Sequence, residues 1–419
     1  MHTGTSTGVE ADARMQSLLA NHDYLVMADE LENLPPEQAQ FYRGILANRE
    51  NNLKKSISLL EPLVEKVTAS GDKAHEKLLR EALAQDYLRE GDYAKAAAAY
   101  AALESRLGAM LSADEQSDIE MPLKMAPLAA ANPPMTVDPC EPFEMQVSRD
   151  PLGLTDVPVF VDAAPRSWML DPTAPFNMIS QSTARAVGLK VSEQAVTIRT
   201  LTGRPIQVHA TVIPRFTIGG RLTLHNVTAF VYDDAAYFYP RTGYQVEGVL
   251  GYAALQALGS ITMTQDETIE VQPAHSTKGA DDPAAAVGAH FFLDGDQVIV
   301  ALGQVGNERM YAVDAAGQQS YLTSRYYDEH MRDFAGLKLA PFAVPGSDAL
   351  PPQPAYNAET VPLNVGGTMI QAHFLQVLTQ PLGNAALDDV YGVLGVDVLD
   401  QLRSYTFDYR SMRFIARPE

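Results

Sequence analysis

The sequence predicts an α+β multidomain protein in which N-terminal α-helical hairpins precede an all-β unit built as two lobes. Three observations carry this prediction. Residues 13–107 are rich in Ala, Leu, Glu, Lys and Gln, with apolar residues at helical spacing. Within that stretch the chain matches itself at an offset of 40 residues. From about residue 143 onward, short β-prone runs broken by turn residues replace the helical pattern, and these runs come in two copies.

In the helical part the offset pairs Gly44 with Ala84, Leu53 with Tyr93, Lys55 with Lys95, Ser56 with Ala96, Leu60 with Tyr100 and Leu63 with Leu103. Small residues at two of these pairs let helices approach, and the large ones fill the groove between them. Asn51-Asn52 and Gly91-Asp92 supply turns and N-caps. Residues 13–34 read as one capping helix, and Pro62 should kink a helix or mark its restart. The helical domain is expected over 10–111. Residues 112–142 hold six prolines and read as a partly extended linker.

The β part splits into a first lobe, 143–273, a polar linker, 274–286, and a second lobe, 287–419. In one copy Trp168-Met-Leu-Asp171 is followed by Gly248-Val-Leu-Gly251. In the other, Tyr311-Ala-Val-Asp314 is followed by Gly392-Val-Leu-Gly395. The step from aspartate to the first glycine is 77 residues in one copy and 78 in the other. Residues 248–262 and 392–406 align without a gap and share eight of fifteen residues. That degree of identity marks an internal duplication. Each copy ends its apolar run in one aspartate, which suggests two carboxylates facing each other between the lobes. The Gly219-Gly220 and Gly366-Gly367 pairs fall at hairpin turns.

Two resemblances follow from these residues. Residues 36–107, with Tyr87-Leu-Arg-Glu-Gly-Asp-Tyr-Ala-Lys-Ala-Ala as the best stretch, resemble the tetratricopeptide repeat, with Thr68–Lys73 as a lengthening insert. That resemblance implies a concave face for a protein partner. A plain helical packing domain stays open beside it. Residues 150–419 resemble a retropepsin-like aspartic protease in its bacterial two-lobed form. Each copy has the apolar strand, the aspartate, a short strand, a helix (181–187 and 324–331) and the later apolar-Leu-Gly motif. The resemblance implies a pair of barrels, a catalytic dyad of Asp171 and Asp314, no cofactor and no metal. It also implies a periplasmic or secreted location, although Met1-His-Thr-Gly-Thr-Ser shows no signal peptide. A single-chain two-lobed form needs no dimer, so a monomer is expected. Asp162, in the similar run Val161-Asp-Ala-Ala164, is rejected because it lies 86 residues before Gly248 and no matching helix follows it at the right interval.

Aspartic proteolysis needs two carboxylates that share one proton and together activate a water. In the family a hydroxyl residue and then a glycine follow each aspartate. Here those positions are Pro172 and Thr173 in one copy, and Ala315 and Ala316 in the other. Proline and alanine carry no hydroxyl, proline also removes an N–H, and a side chain at the glycine position restricts the backbone. A misplacement of about 1 Å costs roughly a hundredfold in rate. The expected function is therefore binding of a peptide or unfolded protein segment with impaired proteolysis. The alternatives are an active endopeptidase using Asp171 and Asp314, and a scaffold that binds partners through its helical repeats.

Bulk properties narrow the field. The chain has 419 residues, 46% of them apolar, and a formal charge of −21. That charge opposes nucleic-acid binding. No apolar run reaches the roughly 20 residues of a membrane span. Cys140 is the only cysteine, so no internal disulfide forms. No H-E-x-x-H, G-x-S-x-G or phosphate-binding loop is present. Asp233-Asp234 and Asp388-Asp389 read as solvated loop charges, and the aromatic stretch Tyr232–Tyr244 as the seal of a core edge.

Overall fold

The computed structural model describes residues 8–171, 174, 176–199, 205–276, 288–295, 297–304, 306–314, 317, 319–344, 351–383 and 385–418. Helices α1 (Gly8–Ala20), α2 (Tyr24–Glu30), α3 (Pro36–Arg49), α4 (Leu53–Leu60), α5 (Val64–Ser70), α6 (Lys73–Glu90) and α7 (Tyr93–Leu107) form the N-terminal domain. The 40-residue repeat is visible in the turns. Asn51 and Gly91 both adopt left-handed backbone, at φ 55° and 80°. They link α3 to α4 and α6 to α7. Asp92 caps α7 by accepting from the Lys95 N–H. Ser56, Leu60, Ala96, Tyr100 and Leu103 are all buried. Pro62 lies in a 3-10 turn, Glu61–Leu63, and the helix restarts after it as expected.

Two helical expectations need correction. Residues 13–34 are not one helix, because His22 takes a left-handed conformation (φ 57°) and breaks α1 from α2. Residues 112–142 are not mainly an extended linker, because Ala113–Ala129 form helix α8. Ser112 and Glu115 make a reciprocal capping box at its start. Met125, Ala126, Leu128 and Ala129 are buried, which offsets the backbone bonds lost at Pro122 and Pro127.

The first lobe contains β1 (Thr136–Val137), β2 (Phe143–Gln146), β3 (Ser148–Arg149), β4 (Thr155–Val161), β5 (Ala164–Leu170), β6 (Asn177–Ser180), α9 (Gln181–Ala186), β7 (Val191–Arg199), β8 (Pro205–Ile218), β9 (Leu222–Tyr232), β10 (Phe238–Tyr239), β11 (Tyr244–Gln245), β12 (Gly248–Leu250), α10 (Tyr252–Leu258), β13 (Ser260–Thr264) and β14 (Thr268–Gln272). Strand β8 pairs with both β4 and β9, and this closes the sheet into a barrel. The second lobe has β15 (Ala289–Asp294), β16 (Gln297–Gln304), β17 (Asn307–Val313), β18 (Tyr321–Leu322), α11 (Ser324–His330), β19 (Ala340–Phe342), β20 (Gln353–Val365), β21 (Thr368–Leu378), α12 (Ala385–Asp388), β22 (Gly392–Leu394), α13 (Val396–Leu399), β23 (Ser404–Asp408) and β24 (Arg413–Arg417), in a sheet that among the described residues stays open.

Strands β15, β24, β23, β13, β14 and β2 form one antiparallel sheet that joins the lobes. Ile261, Met263, Tyr405, Phe407 and Phe414 bury one face of it in a core that runs through both lobes. The protein is thus α+β and multidomain, with an aspartic-protease-like β unit. Among the described residues no helix is long and apolar enough to cross a membrane.

Candidate functional site

Asp171 and Asp314 end equivalent strands. In the first lobe β12 pairs parallel with β5 (Leu250 beside Leu170) and antiparallel with β6 (Val249 beside Met178). In the second, β22 pairs parallel with β17 (Leu394 beside Val313) and antiparallel with β18 (Val393 beside Tyr321). The backbone bonds repeat as well. The Asp171 N–H donates to Leu250 O (3.4 Å) and the Asp314 N–H to Leu394 O (2.9 Å). Ala174 N donates to Asp171 O (3.2 Å), and Gly317 N to Asp314 O (3.0 Å). Tyr252 N then donates to Ala174 O and Val396 N to Gly317 O, both at 2.8 Å. Each aspartate therefore sits at the mouth of a turn stitched to the start of the following helix.

The glycines of the Gly-Val-Leu-Gly segments have a steric reason to be glycine. A Cβ on Gly251 would lie 2.2 Å from the carbonyl of Phe176, and one on Gly395 would lie 2.7 Å from Gly317 O. The aspartate turn passes directly against them. A side chain six residues after each aspartate completes the support. The Gly251 N–H donates to Asn177 Oδ1 (3.0 Å), and the Gly395 N–H to Ser320 Oγ (2.7 Å). In the second lobe the Ser320 N–H and hydroxyl also donate to the Asp397 carboxylate. Sequence reasoning missed these supports, although their shared position after each aspartate was a usable signal.

Two phenols face the aspartates electrostatically. Burial, then the charges of Tyr252 and Asp171, push the Tyr409 phenol up, and its buried hydroxyl has no hydrogen-bond partner among the described residues. Burial, then Asp314, pushes Tyr321 up. Pro172, Thr173, Ala315 and Ala316, the altered motif positions, lie outside the described residues. Asp162 occupies the tight turn between β4 and β5, at φ 54°, away from any equivalent of Asp314.

Each aspartate-bearing sheet has two apolar faces. Trp168, Leu170, Ile179 and Leu250 point into the barrel core. Met169, Met178 and Val249 alternate to the other face, where they pack with Leu88, Tyr93, Met121, Met125 and Leu128 of the helices. In the second lobe Met310, Ala312, Tyr321 and Val393 do the same with Tyr24, Met27 and Ile45. Met169 and Ala312, each two residues before an aspartate, lie on these helix-covered sides. The helical domain is tied to the second lobe by Asp294, which meets Arg49 (3.0 Å), His22 (3.1 Å) and the Tyr24 hydroxyl (2.5 Å). Burial alone would raise the Asp294 carboxyl, but Arg49 and His22 outweigh it and hold it well below the usual range. Arg89 donates to Leu293 O and Gly295 O. A further tie runs from the Tyr252 hydroxyl to Asn51 Oδ1 (2.7 Å), and burial pushes that phenol up to about 12.

A concavity of about 790 Å³ lies elsewhere, on the polar outer face of the joining sheet around Thr262, Thr406 and Arg403. Three of the four paired acids, Asp233, Asp234 and Asp388, hold local backbone and are not merely solvated. Asp233 accepts from Ala235 N, Asp234 from Ser182 N, and Asp388 from Leu382 N and Gly383 N. Tyr232 is fully buried and donates to Val246 O at a core edge, whereas Phe238 and Tyr239 of the same aromatic stretch are exposed and do not seal it.

A family model described as Aspartyl protease matches residues 157–254. No curated protein matches the chain. Among solved structures the chain is similar to basic 7S globulin from soybean, at 11% identity and a TM-score of 0.42, covering 67% of this chain and 95% of that one. It is also similar to conglutin gamma, a basic 7S globulin from lupine seeds, at 10% identity and a TM-score of 0.41, with the same coverage. The part of the chain that carries Asp171 is an aspartic-protease-like domain.

Proposed function

We propose that the protein binds a polypeptide segment beside its paired aspartate turns and that its proteolysis is impaired. One observation carries this reading. The strands, glycines and backbone bonds around Asp171 and Asp314 repeat between the lobes, yet the hydroxyl and glycine positions after both aspartates are Pro172-Thr173 and Ala315-Ala316. A scaffold retained without its catalytic letters suits binding better than bond cleavage. The neighbouring apolar faces, around Met178 and Val249 in one lobe and Tyr321 and Val393 in the other, already accept polypeptide, since helices pack on both.

A second reading, an active endopeptidase using the Asp171/Asp314 dyad, draws support from the matching positions of the two aspartates at equivalent strand ends. The helical-repeat scaffold reading is disfavoured. One side of the helical domain, with Tyr24, Arg49 and Arg89, is already engaged by the protein's own second lobe.

The test is a thermal-shift screen of casein-derived peptides, repeated on Asp171→Asn and Met169→Asp. Binding that either change weakens at least tenfold supports the reading. Binding indifferent to both changes would count against it.

A further inference from the structure

The helical domain meets the two lobes in different ways. Its contact with the second lobe includes a buried ionic cluster, Asp294 with Arg49, His22 and Tyr24, together with two Arg89 bonds to the backbone. Breaking such a cluster strands a buried charge, so this contact is an anchor. Its contact with the first lobe has one direct polar tie from the repeat helices, Tyr252 to Asn51, and an apolar patch made by Leu88, Tyr93 and a stripe of α8. Met121, Met125 and Leu128 recur at helical spacing and rest on Met169, Met178 and Val249. The opposite side of α8, Ile119 and Leu123, packs on Tyr100, Leu103 and Leu107 of the helical domain. Helix α8 therefore belongs to the helical domain and lies as a guest on the first lobe. Its described polar tie to the lobe body is Lys124 Nζ donating to Thr197 O of β7 (2.8 Å).

Two features make this contact the weaker one. Pro122 and Pro127 each remove a backbone donor inside α8. The chain then leaves α8 through residues 130–135, an exposed to half-buried stretch that contains Pro133-Pro134 and lies outside regular secondary structure. Asn132 Nδ2 donating to Thr228 Oγ1 and Asn226 Nδ2 donating to Pro134 O (both 3.3 Å) hold its far end on β9, so a displaced α8 hinges at residues 130–131 and leaves the lobe folded.

We infer that α8 is a displaceable resident ligand of the face beside Asp171, and that the segment which competes with it is an amphipathic helix carrying a Met/Leu stripe. This deepens the polypeptide-binding reading by naming the shape and chemistry of the ligand, and it rests on that reading for the site. The geometry accounts for the stripe directly. A flat apolar face built from Met169, Met178, Val249 and Phe176 matches side chains at spacings of three and four, and flexible methionines on both surfaces adapt to more than one partner.

The test uses the full chain and a fluorescein-labelled peptide of residues 113–129 as the probe. Met125→Asp with Leu128→Asp loosens the resident helix, and circular dichroism checks that the protein stays folded. Anisotropy should show saturable binding at least tenfold tighter than to the wild type, and Met169→Asp added to the loosened protein should abolish it. Equal binding to wild type and loosened variant, or none to the folded variant, would overturn the inference. If that double variant does not fold, Lys124→Ala with hydrogen exchange takes its place. Exchange should rise several-fold at residues 176–180 and 206–210 and stay constant at 307–313, and unchanged exchange at 176–180 would overturn the inference. Casein peptides that bind while peptide 113–129 does not would sink this inference alone. Failure of both the casein peptides and peptide 113–129 to bind the folded proteins would sink the broader reading and this inference with it.

Discussion

The hydroxyl oxygens of Thr262 and Thr406 lie 2.8 Å apart across the strand pair that joins the lobes. The two threonines occupy the same place in the duplicated segments, and their Cα atoms are direct partners in the β13–β23 ladder. Ile261 pairs with Phe407 and Met263 with Tyr405 in the mirrored order, so the pseudo-two-fold axis passes between the two hydroxyls. Both threonines are half-buried. Thr406→Val should therefore cost only about 0.5–1 kcal/mol, because water can reach the orphaned hydroxyl. The double variant with Thr262→Val should cost less than the sum of the single changes in urea melts.

Gly251→Ala should be far worse. Its Cβ would meet the Phe176 carbonyl at 2.2 Å, so backbone must move in the Asp171 turn. A loss of about 3 kcal/mol or more is expected, at the upper end of overpacking penalties. Gly71→Ala is the control. It takes a left-handed φ of 76°, unlike Gly251 at −99°, but has open space around it, and should cost about 1–2 kcal/mol. Equal melting temperatures for the two variants would refute the close-approach argument.

Asp294→Ala should destabilise the protein by about 3–5 kcal/mol, because Arg49 stays buried without its partner. The folded carboxyl is held below its unfolded value, so its contribution is present above about pH 4 and is lost as pH falls below that. Stability profiles of wild type and variant should converge in acid. A constant gap at all pH values would contradict the assignment.

Asp86 has the opposite sign. It is fully buried between Asn48 and Ser56, and burial pushes its carboxyl up to about 6. The folded state keeps the proton after the unfolded state has released it. Stability from this group is therefore present below about pH 4 and falls as pH rises toward 6. Asp86→Asn should remove a slope of at most about 3 kcal/mol between those limits, measured by denaturant melts at several pH values.

How much of this was legible beforehand depended on whether a feature was local. The Gly-Val-Leu-Gly segments and their spacing predicted the duplicated lobes, because a close backbone approach leaves a compositional mark. Gly91-Asp92 announced the α6–α7 turn because Gly91 takes a left-handed φ of 80° and Asp92 caps α7. Helix α8 was hidden by counting prolines, although Ser112 and Glu115 form a capping box and Met121, Met125 and Leu128 keep helical spacing. The covered faces beside Asp171 and Asp314 were not legible at all. They depend on Arg49 meeting Asp294 and Asn51 meeting Tyr252, contacts across hundreds of residues that no local pattern encodes.

The central claim is that the aspartate turns are kept as architecture while their catalytic setting is lost. The most direct measurement is cleavage of unfolded casein from pH 3 to pH 7 by the full chain, beside Asp314→Asn and a protein restored with Pro172→Thr, Thr173→Gly, Ala315→Thr and Ala316→Gly. The account predicts no cleavage above the Asp314→Asn background for the wild type, and a gain for the restored protein. Robust wild-type cleavage that Asp314→Asn abolishes would contradict it.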